Sequence, residues 1–244
     1  MPNTFKGFSP KALTFLRQLE KNNSREWFVP RKEQFETLLR QPMLELIELV
    51  LKDLRSFAVD HVLDPKRAML RIYRDVRFSK DKSPYKTNIA AMFPRAGMGK
   101  TSGAGYYIGI SPAGVEVAGG VYMPGPPELS ALRKAIDEDA DTFRKTTGNK
   151  AVVKVMGAIQ GEQMTRVPKG FTTDHPAGDL LRRKQFYYFT MMKPQTATVA
   201  GLDRTILRQF RAMSPVIYYL NDIMLRSAAE LAADERPKRP KPMF

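Results

Sequence analysis

The chain has 244 residues, 43% of them hydrophobic, with 18 Pro and 16 Gly, which supports a buried core and excludes collagen-like and wholly disordered classes. The absence of cysteine excludes disulfides, thiol nucleophiles and Cys-ligated zinc or iron–sulfur centres, and two histidines, His61 and His175, are too few for a His-rich metal cluster. Forty Lys+Arg against 25 Asp+Glu leave a formal charge of +15, a field that draws phosphates, nucleic acid or acidic membrane surfaces, or simply solvates the surface.

No apolar run follows Lys6 at the N-terminus, so no secretory leader is read there. The longest apolar stretch, Pro42 to Leu51, is broken by Glu45 and Glu48 and falls short of the about 20 residues that a spanning helix needs. The expectation is a cytoplasmic protein without a membrane span.

Ser9-Pro10 signals a helix start: Ser caps free N–H groups, and Pro, lacking one, fits the first helical position. Leu13, Phe15, Leu16 and Leu19 then form an apolar stripe that ends near Asn22-Asn23. Ser24 opens a second helical region with Trp27, Phe28, Phe35, Leu38 and Leu39, in which Pro30 and Pro42 each restart a helix. Met43, Leu46, Ile47, Val50, Leu51 and Leu54 have helical spacing. After Asp64-Pro65 the texture changes. Residues 68–76, Asn88 to Phe93, Gly105 to Ile110 and Gly114 to Tyr122 read as strands, with Ser111-Pro112-Ala113-Gly114 a hairpin turn. Helical patterning returns from Pro127 to Phe143 and from His175 to Arg183, Phe186 to Met192 reads as a strand, and Leu202 to Leu231 as a helix broken at Pro215. The order predicts one α+β domain over 1–234, with a mostly antiparallel sheet flanked by N-terminal and C-terminal helices. Residues 235–244 form a basic, proline-rich tail, expected to be extended and disordered.

Residues 71–86 hold six cations (Arg71, Arg74, Arg77, Lys80, Lys82, Lys86) and two acids (Asp75, Asp81). If 68–78 is a strand, Leu70, Ile72, Val76 and Phe78 share one face with Arg74. A guanidinium on an apolar face must find a partner, because burying an unpaired charge costs several kcal/mol (about 3–5). That partner is either a structural carboxylate or a bound anion. Arg71, Tyr73, Asp75 and Arg77 fall on the opposite face and suit the floor of a polar cleft, with Asp75 able to hold a neighbouring arginine fork in place. The polar loop Ser79 to Ser83 follows, before Pro84-Tyr85.

The run Arg71-x-x-Arg74-Asp75-x-Arg77-Phe78, with Asp81-Lys82 and Tyr85-Lys86, resembles the signature of the bacterial family called domain of unknown function 2461. Asn22-Asn23-Ser24-Arg25-Glu26-Trp27-Phe28 is similar to that family's helix-joining motif. Gly105-Tyr106-Tyr107, Gly119-Gly120, Pro168-Lys169-Gly170-Phe171 and Asp174-His175-Pro176 also match in order. The resemblance spans Phe5 to Leu225 and implies a single-domain α+β protein; it brings no activity with it.

Other motifs carry less. Gly97-Met98-Gly99-Lys100-Thr101 lacks the first glycine of a phosphate loop, where Pro94 stands, and leads into a strand, so it reads as a glycine hairpin with one more cation. Asp174 reads as a cap for the helix after Pro176, and His175 as a candidate general base; no nucleophile-elbow serine exists. Two acids amid arginines pair with them more readily than they hold Mg²⁺, so neither a metal nor a cofactor is assigned. Glu26 beside Trp27 has the setting of a tuned carboxylate, while Trp27 and Phe28 read more simply as core anchors, and Arg182, Arg183 and Lys184 as helix-end cations. Tyr187, Tyr188 and Phe189 have the chemistry to stack bases, and are more simply sheet and core residues.

Three functions follow. The first is an Arg/Lys-lined cleft binding a phosphorylated small molecule or nucleotide through Arg71, Arg74, Arg77, Lys80, Lys82, Tyr85 and Lys86, with Asp75 and His175 as the candidates should turnover occur. The second is a nucleic-acid-binding module using the basic surface. The third is a structural protein whose charge cluster is paired internally. Oligomeric state leaves no mark in the sequence.

Overall fold

Capping chemistry sets the start of the chain. In the computed structural model, which describes residues 4–234, α1 runs Pro10–Lys21, and the Ser9 hydroxyl accepts from the Lys11 N–H at 3.3 Å. Its stripe of Leu13, Phe15, Leu16 and Leu19 is buried. Ser24 caps the one-turn α2 (Arg25–Phe28), accepting from the Trp27 N–H at 3.3 Å. The prolines then segment the path: a 3₁₀ turn at Val29–Arg31, α3 (Lys32–Phe35), a π-helical turn at Glu36–Arg40, and α4 (Gln41–Leu54) with Pro42 in its first turn. Asp64 caps α5 (Pro65–Ala68), accepting from the Lys66 N–H at 2.9 Å.

Four strands follow: β1 (Ile89–Phe93), β2 (Gly105–Ile110), β3 (Val115–Val121) and β4 (Phe186–Met192). They form one sheet in the order β1-β2-β3-β4, antiparallel throughout. The β2–β3 turn closes where read, with Ser111 N–H to Gly114 C=O at 2.9 Å and Gly114 N–H to Ser111 C=O at 3.2 Å. Between β3 and β4 lie α6 (Pro126–Glu138), α7 (Ala140–Thr147), α8 (Lys150–Met156) and α9 (Gly178–Leu181). The long α10 (Leu202–Asp234) ends the described chain. The architecture is α+β, with helices on both sides of the sheet in chain order.

Four expectations need correction. Residues 68–76 are not a strand: after α5 the chain makes only isolated pairings, Met69 with Ala91 and Tyr73 with Tyr85. The helix expected over Pro127 to Phe143 divides at Asp139, whose carboxylate accepts from the Thr142 N–H at 2.9 Å and caps a new helix. The helix expected from His175 shortens to α9, because a turn occupies residues 175–177. Pro215 does not break α10. Its ring lies on the solvent side, while Met213, Val216, Ile217 and Leu220 are buried on the other, and that burial holds the helix across the missing N–H. The tail over 235–244 lies outside the described residues.

The faces of the sheet differ. Val115, Val117, Gly119 and Val121 of β3 point to α10, with Tyr106, Ile108 and Ile110 beside them and Phe186 and Tyr188 beyond. The helix lies against bare backbone at Gly119: a Cβ there would stand 2.8 Å from Met213 Sδ and 3.0 Å from Ile217 Cδ1. The alternate residues, Tyr107, Gly109, Glu116, Ala118, Gly120, Tyr187 and Phe189, occupy the opposite face. No helix of the described residues is long and apolar enough to cross a membrane.

Candidate functional site

The cation-rich segment is an irregular excursion closed by its own ends. Leu70 N–H bonds Ala90 C=O at 2.8 Å, Lys86 N–H bonds Ile72 C=O at 2.8 Å, and Arg74 N–H bonds Pro84 C=O at 2.9 Å. The Asn23 side chain pins the returning arm: its Oδ1 accepts from Tyr85 N–H at 3.1 Å and its Nδ2 donates to Tyr85 C=O at 2.9 Å. Burial still alternates from Arg71 to Val76, with Ile72 buried and Arg71, Tyr73 and Asp75 exposed. The alternation fails at Phe78, which is 95% exposed, because the chain turns at Val76, whose carbonyl accepts from Ser79 N–H and from Lys82 Nζ.

Two arginine forks meet the loop's own carboxylates. Arg74 pairs with Asp81, and Ser83 adds bonds to Asp81 from its N–H at 2.9 Å and its hydroxyl at 2.6 Å. Those Ser83 bonds, then the guanidinium, hold the Asp81 carboxyl far below the usual carboxylate range. Arg77 grips Asp75 with two parallel bonds, Nε at 3.0 Å and Nη2 at 2.7 Å, which bring that carboxyl down to about 2. Asp75 therefore serves as an arginine partner. Tyr85 is 3% exposed and stacks on Phe28 at 4.2 Å, within the core. Lys80 is exposed.

Lys86 sits differently. It is half-buried, and desolvation, then the charges of Arg71 and Lys100, push its ammonium down from the ordinary lysine range. Among the described residues, no carboxylate forms an ion pair with Lys86, Arg71 or Lys100.

Lys100 stands at the edge of a hollow of about 420 Å³ on the sheet face away from α10. Cross-strand register builds it. The row Met92–Tyr107–Ala118–Phe189 and the next pair, Gly105–Gly120 with Tyr187, leave a floor of glycine and alanine between aromatic walls. Tyr122 meets Tyr187 edge-on at 5.5 Å and extends one wall. Glu116 lines the hollow; the Tyr107 hydroxyl donates to its Oε2 at 3.0 Å and accepts from Asn88 Nδ2 at 3.2 Å. Burial, and then Glu116, push the Tyr107 phenol up, so it stays a proton donor at neutral pH. The pair lies flat because Gly109 has no side chain: a Cβ there would come within 2.5 Å of Glu116 Oε2 and 2.7 Å of Tyr107 Oη.

The glycine-rich segment before β2 joins two antiparallel strands, and no helix N-terminus follows Lys100-Thr101. Its end is anchored by Asn221 of α10, whose Oδ1 accepts from Ala104 N–H at 2.9 Å and whose Nδ2 donates to Ala104 C=O at 3.0 Å. A second hollow, of about 370 Å³, lies between the N-terminal helices and Arg71, edged by Lys32, Lys66 and an Arg40–Glu36 pair at 3.1 Å.

His175 is engaged at both nitrogens. Nδ1 accepts from Ala177 N–H at 3.0 Å, which fixes the tautomer, and Nε2 then donates to Asp137 at 3.0 Å. It closes the turn before α9, the role read for Asp174, which makes no capping bond to α9.

Glu116, Asn88 and the Tyr107 hydroxyl escaped the sequence reading. The visible signal was period two: Gly105-x-Tyr107-x-Gly109 and Glu116-x-Ala118-x-Gly120 put small and polar residues on one face and apolar ones on the other. Tyr187 and Phe189 face the hollow, whereas Tyr188, 0% exposed, faces the core.

The family model described as conserved hypothetical protein, domain of unknown function 2461 (DUF2461), matches residues 11–219, and the chain belongs to that family. No curated protein matches it.

Proposed function

We propose that this member of the family binds a phosphorylated small molecule of the nucleotide class on the open face of its sheet. The observation that carries the reading is the hollow itself: aromatic walls at Tyr107, Tyr187 and Phe189, a floor of glycine and alanine, and Lys100 at its edge, in no ion pair among the described residues. A flat ring lies close to glycine backbone and stacks on the aromatic walls. Its phosphate takes the Lys100 ammonium, in a field to which Lys86 and Arg71 add. Arg74, Arg77, Asp75 and Asp81 hold the neighbouring loop in shape, and Lys80 and Lys82 raise the local potential. The test is calorimetric titration of nucleoside monophosphates against the wild type, Lys100→Ala and Arg77→Ala. A charge-assisted bond of about 1.5–3 kcal/mol corresponds to a loss of about 10- to 150-fold for Lys100→Ala. Arg77→Ala binds as the wild type does. Absence of mononucleotide binding, or equal affinity in Lys100→Ala, overturns the reading.

A second reading has its own observation. Phe78 is 95% exposed, with the Arg77 guanidinium 5.8 Å from its ring, on a loop rich in cations. An exposed ring on a basic loop suits stacking on a single-stranded nucleic acid. Filter binding at two salt concentrations tests this: a steep loss with salt and weaker binding by Phe78→Ala support it, and a flat response removes it.

A further inference from the structure

We infer that the hollow selects a guanine-type ring, through the Glu116 carboxylate; this rests on the nucleotide-binding reading above. Among the described residues, Glu116 is the one acidic residue lining the hollow. A carboxylate only accepts hydrogen bonds, so its ring partner must donate. The Tyr107–Asn88 chain makes that demand stricter. Because the Tyr107 oxygen already accepts from Asn88 Nδ2, the single phenolic hydrogen is committed to Glu116 Oε2, and the carboxylate is held in one orientation. Among the described residues no hydrogen bond reaches Glu116 Oε1, which leaves that oxygen to a ligand. Gly109 beneath leaves the room that this orientation uses.

Oε1, together with the second lone pair of Oε2 that Tyr107 leaves unused, matches two parallel N–H donors. Guanine presents that pair on one edge, its ring N1–H beside its exocyclic amino group. Adenine and cytosine each place an acceptor nitrogen beside their amino group, and uracil flanks its single N–H with carbonyls, so each sets a lone pair against the carboxylate. Hypoxanthine keeps the ring N–H and lacks the amino group. A site built to pair with a donor discriminates strongly against an analogue that lacks it, because the protein group is left unpaired.

The experiment titrates GMP, IMP, AMP and UMP into the folded wild type, Glu116→Gln and Tyr107→Phe, with circular dichroism as the check on folding. The expected wild-type order places GMP about 10-fold tighter than IMP and about 100-fold tighter than AMP or UMP. Glu116→Gln brings the four ligands to within about 3-fold of one another while phosphate-dependent binding persists. Tyr107→Phe lowers the GMP preference by releasing the carboxylate from its fixed orientation. Equal wild-type affinity for all four, a preference for AMP or UMP, or an unchanged GMP preference in Glu116→Gln overturns the guanine assignment and leaves the binding reading standing. Failure of every mononucleotide to bind the wild type overturns both.

Discussion

Replacing Asn221 by alanine tests whether one buried amide holds the glycine-rich segment over the sheet. Asn221 is 0% exposed, as is Ala104, and the two share a pair of bonds at 2.9 and 3.0 Å. Truncation leaves the Ala104 N–H and C=O without partners in the interior. Each unsatisfied group is worth about 1–3 kcal/mol, so the variant should lose about 2–6 kcal/mol. Total stabilities are about 5–15 kcal/mol, and at this chain length each kcal/mol moves Tm by about 2–4 °C. Urea unfolding at neutral pH, paired with a thermal scan, measures the loss. Asn221→Asp is the internal control: it keeps the acceptor for Ala104 N–H, sets a charge against Ala104 C=O, and should be at least as destabilised. Lys100 travels with the same segment, so nucleotide affinity should fall in the folded fraction of both variants. A change below about 0.5 kcal/mol in Asn221→Ala would mean that water reaches Ala104, and the anchoring argument would fail.

Asn23→Ala removes the equivalent clamp on Tyr85 at a half-buried site, and should lower the urea-derived stability by about 1–2 kcal/mol. Pro215→Ala restores an N–H within α10 at an exposed position and should raise stability by about 1–3 kcal/mol; a loss would show that the ring is packed. Arg74→Ala breaks a pair whose carboxylate is well solvated. It should change global stability by less than about 1 kcal/mol while speeding amide exchange at Ser83, and a multi-kcal loss would contradict that exposure. Burial pushes the His61 imidazole below its ordinary 6.5, so the folded chain refuses a proton that the unfolded chain accepts. The stability from this group is full above about pH 6.5 and declines as pH falls toward the folded value. Urea midpoints at pH 7.5 and 5.5 should therefore differ less in His61→Phe than in the wild type.

The local signals were legible where the chemistry is local. Ser9, Ser24 and Asp64 announce helix starts because a capping side chain acts within two or three residues. β-Branched and aromatic runs bounded by glycine and proline announce the four strands to within about a residue. Residues 68–76 carry the same texture, yet only isolated pairings form there, since a ladder needs a continuous neighbour and Val76 begins a turn instead.

Sequence alone therefore determined the α+β order, the family and the +15 charge, and it argued that Arg74 must have a partner. It left open whether that partner was a ligand or a carboxylate, because Asp81 reaches the fork only after the chain folds back through Pro84. The hollow was decided by tertiary structure for the same reason. Tyr107 and Glu116 meet across one hairpin, but Tyr187 and Phe189 come from far along the chain and join them only through the antiparallel register of β4 with β3, and α10 covers one face of the sheet and leaves theirs to the solvent.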